Sequence, residues 1–204
     1  MLEDLAYDVI ENNNCIITSS TGNGATSLTL FFLNKILTQD RVIIYYCPTI
    51  IDCNFVAANY KNVYKKVCFI FSPLTDFLLF LQSIRYTADL IVIDPGDILL
   101  IDKSFFESLV QILKASGTSI LCTSQIRQIP DTGQVYSTLE RFNEQEHKKG
   151  IELFKYGIWI RNTTSEDLVF KHKFIDVFSI KREGNKMISR SLARVDKKLG
   201  SIAY

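Results

Sequence analysis

The chain has 204 residues, 47% of them hydrophobic and 22% charged, with a formal net charge of +1. That length suits one compact α/β domain with a sizeable core. No run of ~18 uninterrupted apolar residues occurs, which excludes an obvious spanning helix. Met-Leu-Glu-Asp opens the chain with acids where a secretory signal carries a basic segment, so the expected setting is intracellular. The near-neutral total hides an asymmetry: residues 150–204 sum to +5 and residues 1–149 to −4. A basic C-terminal part permits contact with nucleic acid or an acidic partner, although basic surface also serves solubility.

Along the first three-quarters, short β-branched runs alternate with longer amphipathic ones. "CIITS" (15–19), "VIIYYC" (42–47), "VCFIF" (67–71), "LIVID" (90–94) and "SILCTS" (119–124) are almost continuously apolar, as strands buried on both faces of a parallel sheet are. Between them, "SLTLFFLNKIL" (27–37), "NFVAANYKNVYKK" (54–66), "PLTDFLLFLQSIRY" (73–86) and "KSFFESLVQILKASG" (103–117) have helical length and spacing. Phe31, Phe32, Phe77 and Phe80 fall on these helices and read as core. The alternation predicts βαβ crossovers and a parallel sheet covered by helices on both sides.

The pattern changes at residues 126–150, where Pro130, Gly133 and Gly150 punctuate a polar stretch. It reads as a long loop with one helical turn, and loops of that length are functional or disordered. Beyond it, "YGIWIRN" (156–162), "DLVFKHKFIDVFSIKR" (167–182) and "NKMISRSLARVD" (185–196) predict closing antiparallel strands, with Gly184-Asn185 as a hairpin turn.

Cys15, Cys47, Cys53, Cys68 and Cys122 are scattered without a C-x-x-C pair, as free buried thiols of a reducing compartment are. Zinc sites need clustered ligands, so metal or thiol chemistry is not expected of them. His147 and His172 lie far apart among lysines and read as surface residues. No Ser/His/Asp arrangement is present.

One stretch carries chemistry. "SSTGNGAT" (19–26) sits between a predicted strand and a predicted helix, where a phosphate loop of the form G-x-x-x-x-G-K-[ST] belongs. Gly22, Asn23 and Gly24 supply a turn whose backbone N–H groups, with the helix dipole, can cradle phosphate. Thr26, with Ser27 beside it, falls where the motif binds magnesium. Two elements are missing: Ser19 stands at the first glycine and Ala25 at the lysine. Downstream, "LIVID" ends in Asp94, the Walker B pattern that holds the magnesium of a bound nucleotide. Both would converge on a crevice at the carboxyl ends of parallel strands. Hydrolysis also needs a group that orients water, yet "IIYYCPTII" (43–51) holds no acid before Asp52. Tyr45 and Tyr46 there adjoin the crevice, although sheet packing explains them equally.

Taken in order, the degenerate loop, "VIIYYC", "LIVID" and "FFESLVQILKASG" (105–117) followed by "SILCTSQIR" (119–127) resemble the RecA-like recombinase family. The closest likeness is to its divergent eukaryotic paralogues. The likeness covers most of the chain and implies a single RecA-like core domain over residues 1–204: an α/β P-loop core, mainly parallel sheet flanked by helices, with C-terminal antiparallel strands. It implies that Gln125 senses a γ-phosphate and leads into a mobile DNA-binding loop at 128–150. It further implies a nuclear accessory subunit for homologous recombination repair that pairs with another RecA-fold protein and remodels recombinase filaments on single-stranded DNA. With no phosphate-loop lysine and no catalytic acid, the expectation is a pseudo-ATPase. Its one conceivable cofactor is weakly held ATP, with magnesium on Thr26 and Asp94. "FVAA" (55–58) imitates the F-x-x-A docking tetrapeptide of that family, but in a chain with 14 phenylalanines the match counts for little.

The electrostatic candidates for nucleic acid are Arg127, Lys148, Lys149, Lys171, Lys173, Lys181, Arg182, Lys186, Arg190 and Arg194. A solvated basic face accounts for any one of them equally well. Two other functions fit the same residues: a scaffold subunit of an Elongator-like tRNA-modification complex, and an ATPase completed by a charge from its partner.

Overall fold

The computed structural model describes residues 14–19, 24–37, 40–48, 51, 53–83, 88–100, 103–128, 135–147, 154, 156–162, 174–183, 186–196 and 202–203. Five strands stand where apolar runs predict them: β1 (Cys15–Ser19), β2 (Ile43–Tyr46), β3 (Val67–Ile70), β4 (Leu90–Ile93) and β5 (Ser119–Gln128). Helices α1 (Ala25–Ile36), α2 (Cys53–Asn59), α3 (Lys61–Lys66), α4 (Leu74–Ser83) and α5 (Lys103–Ser116) separate them, with a 3₁₀ turn at Gly96–Leu100. The expected single helix over 54–66 is two, parted at the non-helical Tyr60 (φ −134°, ψ 57°).

The strands form one sheet in the order β10-β9-β8-β7-β1-β5-β4-β2-β3, where β7 is Tyr156–Asn162, β8 Phe174–Glu183, β9 Lys186–Asp196 and β10 Ile202–Ala203. Six neighbouring strands, from β3 to β7, run parallel. "YGIWIRN" opens the antiparallel tail as expected: β7 pairs antiparallel with β8, and on its other side it pairs parallel with β1. The tail itself is antiparallel as expected. Glu183 pairs with Lys186, so residues 184 and 185 connect β8 to β9, although the turn itself lies outside the described residues.

Strand alternation sorts the core into two faces. Ile17, Ile43, Tyr45, Val92, Leu121 and Ile158 meet Leu30, Phe32, Leu33 and Ile36 of α1, Val56 of α2 and Val63 of α3. On the other face, Ile16, Ile44, Tyr46, Ile91, Ile93 and Cys122 meet α4, α5 and α6 (Thr138–His147), chiefly through Phe77, Leu81, Phe106, Leu109 and Leu139. Both faces are dry, which is why these strands read as unbroken apolar runs. Phe32 and Phe77 are buried as expected, whereas Phe31 and Phe80 are half-buried.

The expected loop over 126–150 is largely structured. β5 continues to Gln128 and turns back as β6 (Val135–Ser137), and ten residues of α6 follow. Leu139, Phe142 and Asn143 lie three and four residues apart on one side of α6. Leu139 is buried, and Phe142 meets the Phe106 ring edge-on at 4.8 Å. A narrow apolar stripe on a polar sequence thus suffices once α5 is there to receive it. Asn143 adds a reciprocal pair of hydrogen bonds with the backbone of Phe154, at 2.9 and 3.1 Å, which fixes the approach to β7. Residues 129–134 and 148–150 lie outside the described set.

Cys15, Cys47 and Cys122 are buried as expected, while Cys53 and Cys68 are exposed. His172 is outside the described residues. Among the described residues no helix is long and apolar enough to cross a membrane.

Gly96 leaves no room for a side chain. A Cβ there would lie 2.6 Å from Cys122 Cβ and 2.7 Å from the carbonyl oxygen of Thr123. Because that oxygen belongs to a central strand, it cannot give way. Gly96→Ala is therefore expected to cost about 1–3 kcal/mol in urea unfolding, whereas a substitution at exposed Lys114 should leave the midpoint within error.

Candidate functional site

Strand order brings the phosphate-loop residues and Asp94 to one edge. β1 lies between β5 and β7, with Ser19 level with Gln125 on one side and Ile160 on the other; β4 lies on the far side of β5. From β1 the chain crosses over β5 and β4 to reach β2, and after β5 it crosses β1 to reach β7. The carboxyl ends of β1 and β5 are thus a topological switch point, where open α/β sheets form crevices. Gly24, at φ 88° and ψ 25°, caps α1 in the left-handed region that glycine enters without strain, and its carbonyl accepts from Leu28 N at 2.8 Å. Strand β1 and a glycine-capped helix therefore follow one another in the order that the phosphate-loop reading expects, and residues 20–23 between them lie outside the described residues. Gly22 and Asn23 lie outside the described residues.

Asp94 follows the last residue of β4 and is 8% exposed. Alternation puts it on the α1 face together with Tyr45 and Thr123. Its Oδ2 accepts from Thr26 Oγ1 at 2.8 Å and from the Tyr45 phenol at 2.6 Å, and its Oδ1 accepts from Thr123 Oγ1. Thr26 and Asp94, 68 residues apart, are thus brought together as the sequence predicts. Ala25 offers no charge; its carbonyl accepts from the Thr29 hydroxyl at 3.0 Å. Ser27 is exposed, and its carbonyl accepts from the Tyr60 phenol, so it takes no part in the cluster. Gln125 is also exposed, at the carboxyl end of β5.

Sequence reasoning missed one member, Thr123, within an apolar strand; it placed Tyr45 beside the crevice, with packing as an equal explanation until its hydroxyl is located. Both are legible as same-face residues near strand ends, but only the order β2-β4-β5 puts them beside Asp94. Tyr45 is fully buried, and its ring lies 5.2 Å from that of Phe69, which in turn stacks with exposed Phe71. Tyr46, one position on, belongs to the other face, where it stacks on Phe77 at 3.9 Å and donates to the carbonyl of Ser72.

A second carboxylate works on that other face. Asp97 Oδ1 accepts from Ser124 Oγ at 2.8 Å, and its Oδ2 accepts from the backbone N–H of Gln125 at 3.3 Å. Since the only proton of Ser124 Oγ goes to Asp97, Ser137 of β6 donates to Ser124 at 2.7 Å. The turn Asp94-Pro95-Gly96-Asp97, which carries a cis bond at Pro95, thus straddles the end of β5. Asp94 holds Thr123 from one face and Asp97 holds Ser124 from the other.

Thr26 and Asp94 are the pair that holds magnesium in phosphate-loop enzymes. A threonine that donates to the carboxylate keeps its own lone pairs, so that bond alone is compatible with an ion. The complete set is not. Two oxygens offer about four acceptor sites, and three are taken by protein hydroxyls in a nearly closed position. An ion at this pair would have to share or displace one of those hydroxyl donors.

Of the nucleic-acid candidates, Lys148, Lys149, Lys171 and Lys173 lie outside the described residues. Arg127 lies in the β5 extension, paired with Tyr136. Lys181 pairs with Tyr156 and Ile188 and Arg182 with Met187, so as neighbours on β8 these two positions belong to opposite faces of the sheet. Arg190 is exposed on β9. No protein-family model and no curated protein matches the sequence.

Burial first, then the charge of Asp94 and the hydrogen bond to it, raise the Tyr45 phenol well above its ordinary value. Burial first, then Cys15, Asp97 and Asp94, do the same for the Cys122 thiol. Both groups hold their protons more tightly folded than unfolded. Their stabilisation is complete below the ordinary values, ~8.5 for a thiol and ~10 for a phenol, and is lost as pH rises beyond them. Urea midpoints are expected to hold up to about pH 8.5 and then fall, each group contributing at most about 1.4 kcal/mol per pH unit. Tyr45→Phe should flatten the part of that fall above about pH 10.

A separate expectation concerns the carboxylate itself. Asp94→Ala strands two buried hydroxyls, those of Tyr45 and Thr123, and is expected to cost about 2–4 kcal/mol in the same assay.

Proposed function

We propose that this protein is a non-catalytic subunit of the RecA-like recombinase-paralogue kind. It pairs with another RecA-fold protein and promotes or remodels recombinase filaments on single-stranded DNA in homologous recombination repair. One observation carries the pseudo-ATPase part of this reading. At the switch-point crevice the carboxylate that would hold magnesium is committed to Thr26, Tyr45 and Thr123, and the residue after Gly24 is Ala25. Transition-state charge on a transferred phosphoryl group needs a lysine, a metal or both. With neither supplied by this chain, the crevice serves as architecture.

The pairing and DNA-binding parts rest on the order of elements. A strand followed by a glycine-capped helix, a second strand without an acid, a strand followed by Asp94 and a strand carrying Gln125 succeed one another in the order of the family resemblance. The exposed Arg190 and the basic positions of β8 supply candidate phosphate contacts, whose binding would weaken with salt. The Elongator-like scaffold and the trans-completed ATPase remain the alternatives; no particular contact favours either.

Native purification followed by a filament assay tests the proposal. The expected result is a stable heterodimer with a RecA-fold protein. It should bind single-stranded DNA in a salt-dependent manner, lengthen the lifetime of recombinase filaments, and show no ATP turnover that depends on Asp94. A complex that neither binds DNA nor alters filaments would overturn the recombination role, and recovery within a tRNA-modification assembly would point to the scaffold.

A further inference from the structure

We infer that Tyr45 is the group that excludes a divalent cation from the Thr26–Asp94 pair, standing in as a protein-supplied donor where a metal shell would otherwise engage the carboxylate. The inference deepens the pseudo-ATPase reading and rests on it. Three observations carry it.

The first is which oxygen is used. Thr26 and Tyr45 both donate to Oδ2, at 2.8 and 2.6 Å, whereas Thr123 takes Oδ1. An ion shared by Thr26 and Asp94 would sit against Oδ2 and the free lone pairs of the Thr26 hydroxyl. The phenol competes for that oxygen; Thr123 does not. The second is that the phenol cannot swing aside. Its ring is fully buried between β2 and α1 and packs on Phe69 at 5.2 Å. Moving it out would empty a volume the size of an aromatic ring, and interiors do not tolerate such voids cheaply. The third is that the carboxylate gains from the phenol what an ion would provide. A buried carboxylate without partners is costly, and three O–H donors meet that need with no cation. With Ala25 at the lysine position, the carboxylate is therefore satisfied without nucleotide or metal, and the glycine cap and first turn of the helix stay in place.

The test uses Mn²⁺ alone, followed by electron paramagnetic resonance, on the full chain in its native complex. Wild type is expected to bind no Mn²⁺ at Asp94. Tyr45→Phe, which keeps the ring and its packing, should gain affinity by about 10- to 100-fold, the range seen when the groups around a metal ligand are changed. Thr123→Val should not, because it frees the other oxygen. Failure of Tyr45→Phe to gain Mn²⁺ while folded, or an equal gain in Thr123→Val, overturns the assignment to Tyr45. If Tyr45→Phe does not fold, wild type decides alone: bound Mn²⁺ that disappears in Asp94→Asn overturns the inference. Mn²⁺ binding by wild type without ATP turnover sinks this inference only. Asp94-dependent turnover sinks the pseudo-ATPase reading beneath it.

Discussion

Asp94 sits where four elements have to agree. Its two oxygens receive hydroxyl protons from α1, β2 and β5, and it follows directly on β4. A buried carboxylate is tolerated only when its lone pairs are filled, so the depth of Tyr45, the register of Thr123 and the orientation of the first turn of α1 depend on one another. The same demand that a nucleotide enzyme meets with magnesium is met here with side chains.

The arrangement extends through the sheet. Residues Thr123 and Ser124 are neighbours on β5 and therefore project to opposite faces, where Asp94 and Asp97 receive them. Both acids belong to one turn, and Gly96 lets that turn lie on the strand without a Cβ to hold it off. β5 is consequently gripped from both sides just before its last residues, Ile126 to Gln128, pair with β6. Ser137 extends the grip to the returning strand. The end of the strand is thus held in place by protein groups alone.

The proposed role joins two independent lines. The chemistry line runs from Ala25 and the occupied Asp94 to the proposed pseudo-ATPase. The assembly line runs from the order of strands and motifs to a RecA-like accessory subunit. They meet at Asp94, which joins α1, β2, β4 and β5 into one structural joint.

Much of the fold was legible because burial on both faces leaves a plain mark. Strands β1 to β5 appear as apolar runs of four or more residues, and the glycine before α1 announces its cap. Thr26 and Asp94 were legible as a pair because motif spacing encodes their roles without any knowledge of what lies between. The parallel pairing of β7 was not, since a strand's own residues do not say which neighbour it joins. Nor was α6, whose polar composition hides the stripe of Leu139, Phe142 and Asn143 until α5 and Phe154 are there to meet it. Tyr45 shows the division most plainly. Its sequence neighbours declare a buried strand residue, but only the strand order, a consequence of long-range packing, brings its hydroxyl to Asp94 and turns a core aromatic into the cap of the site.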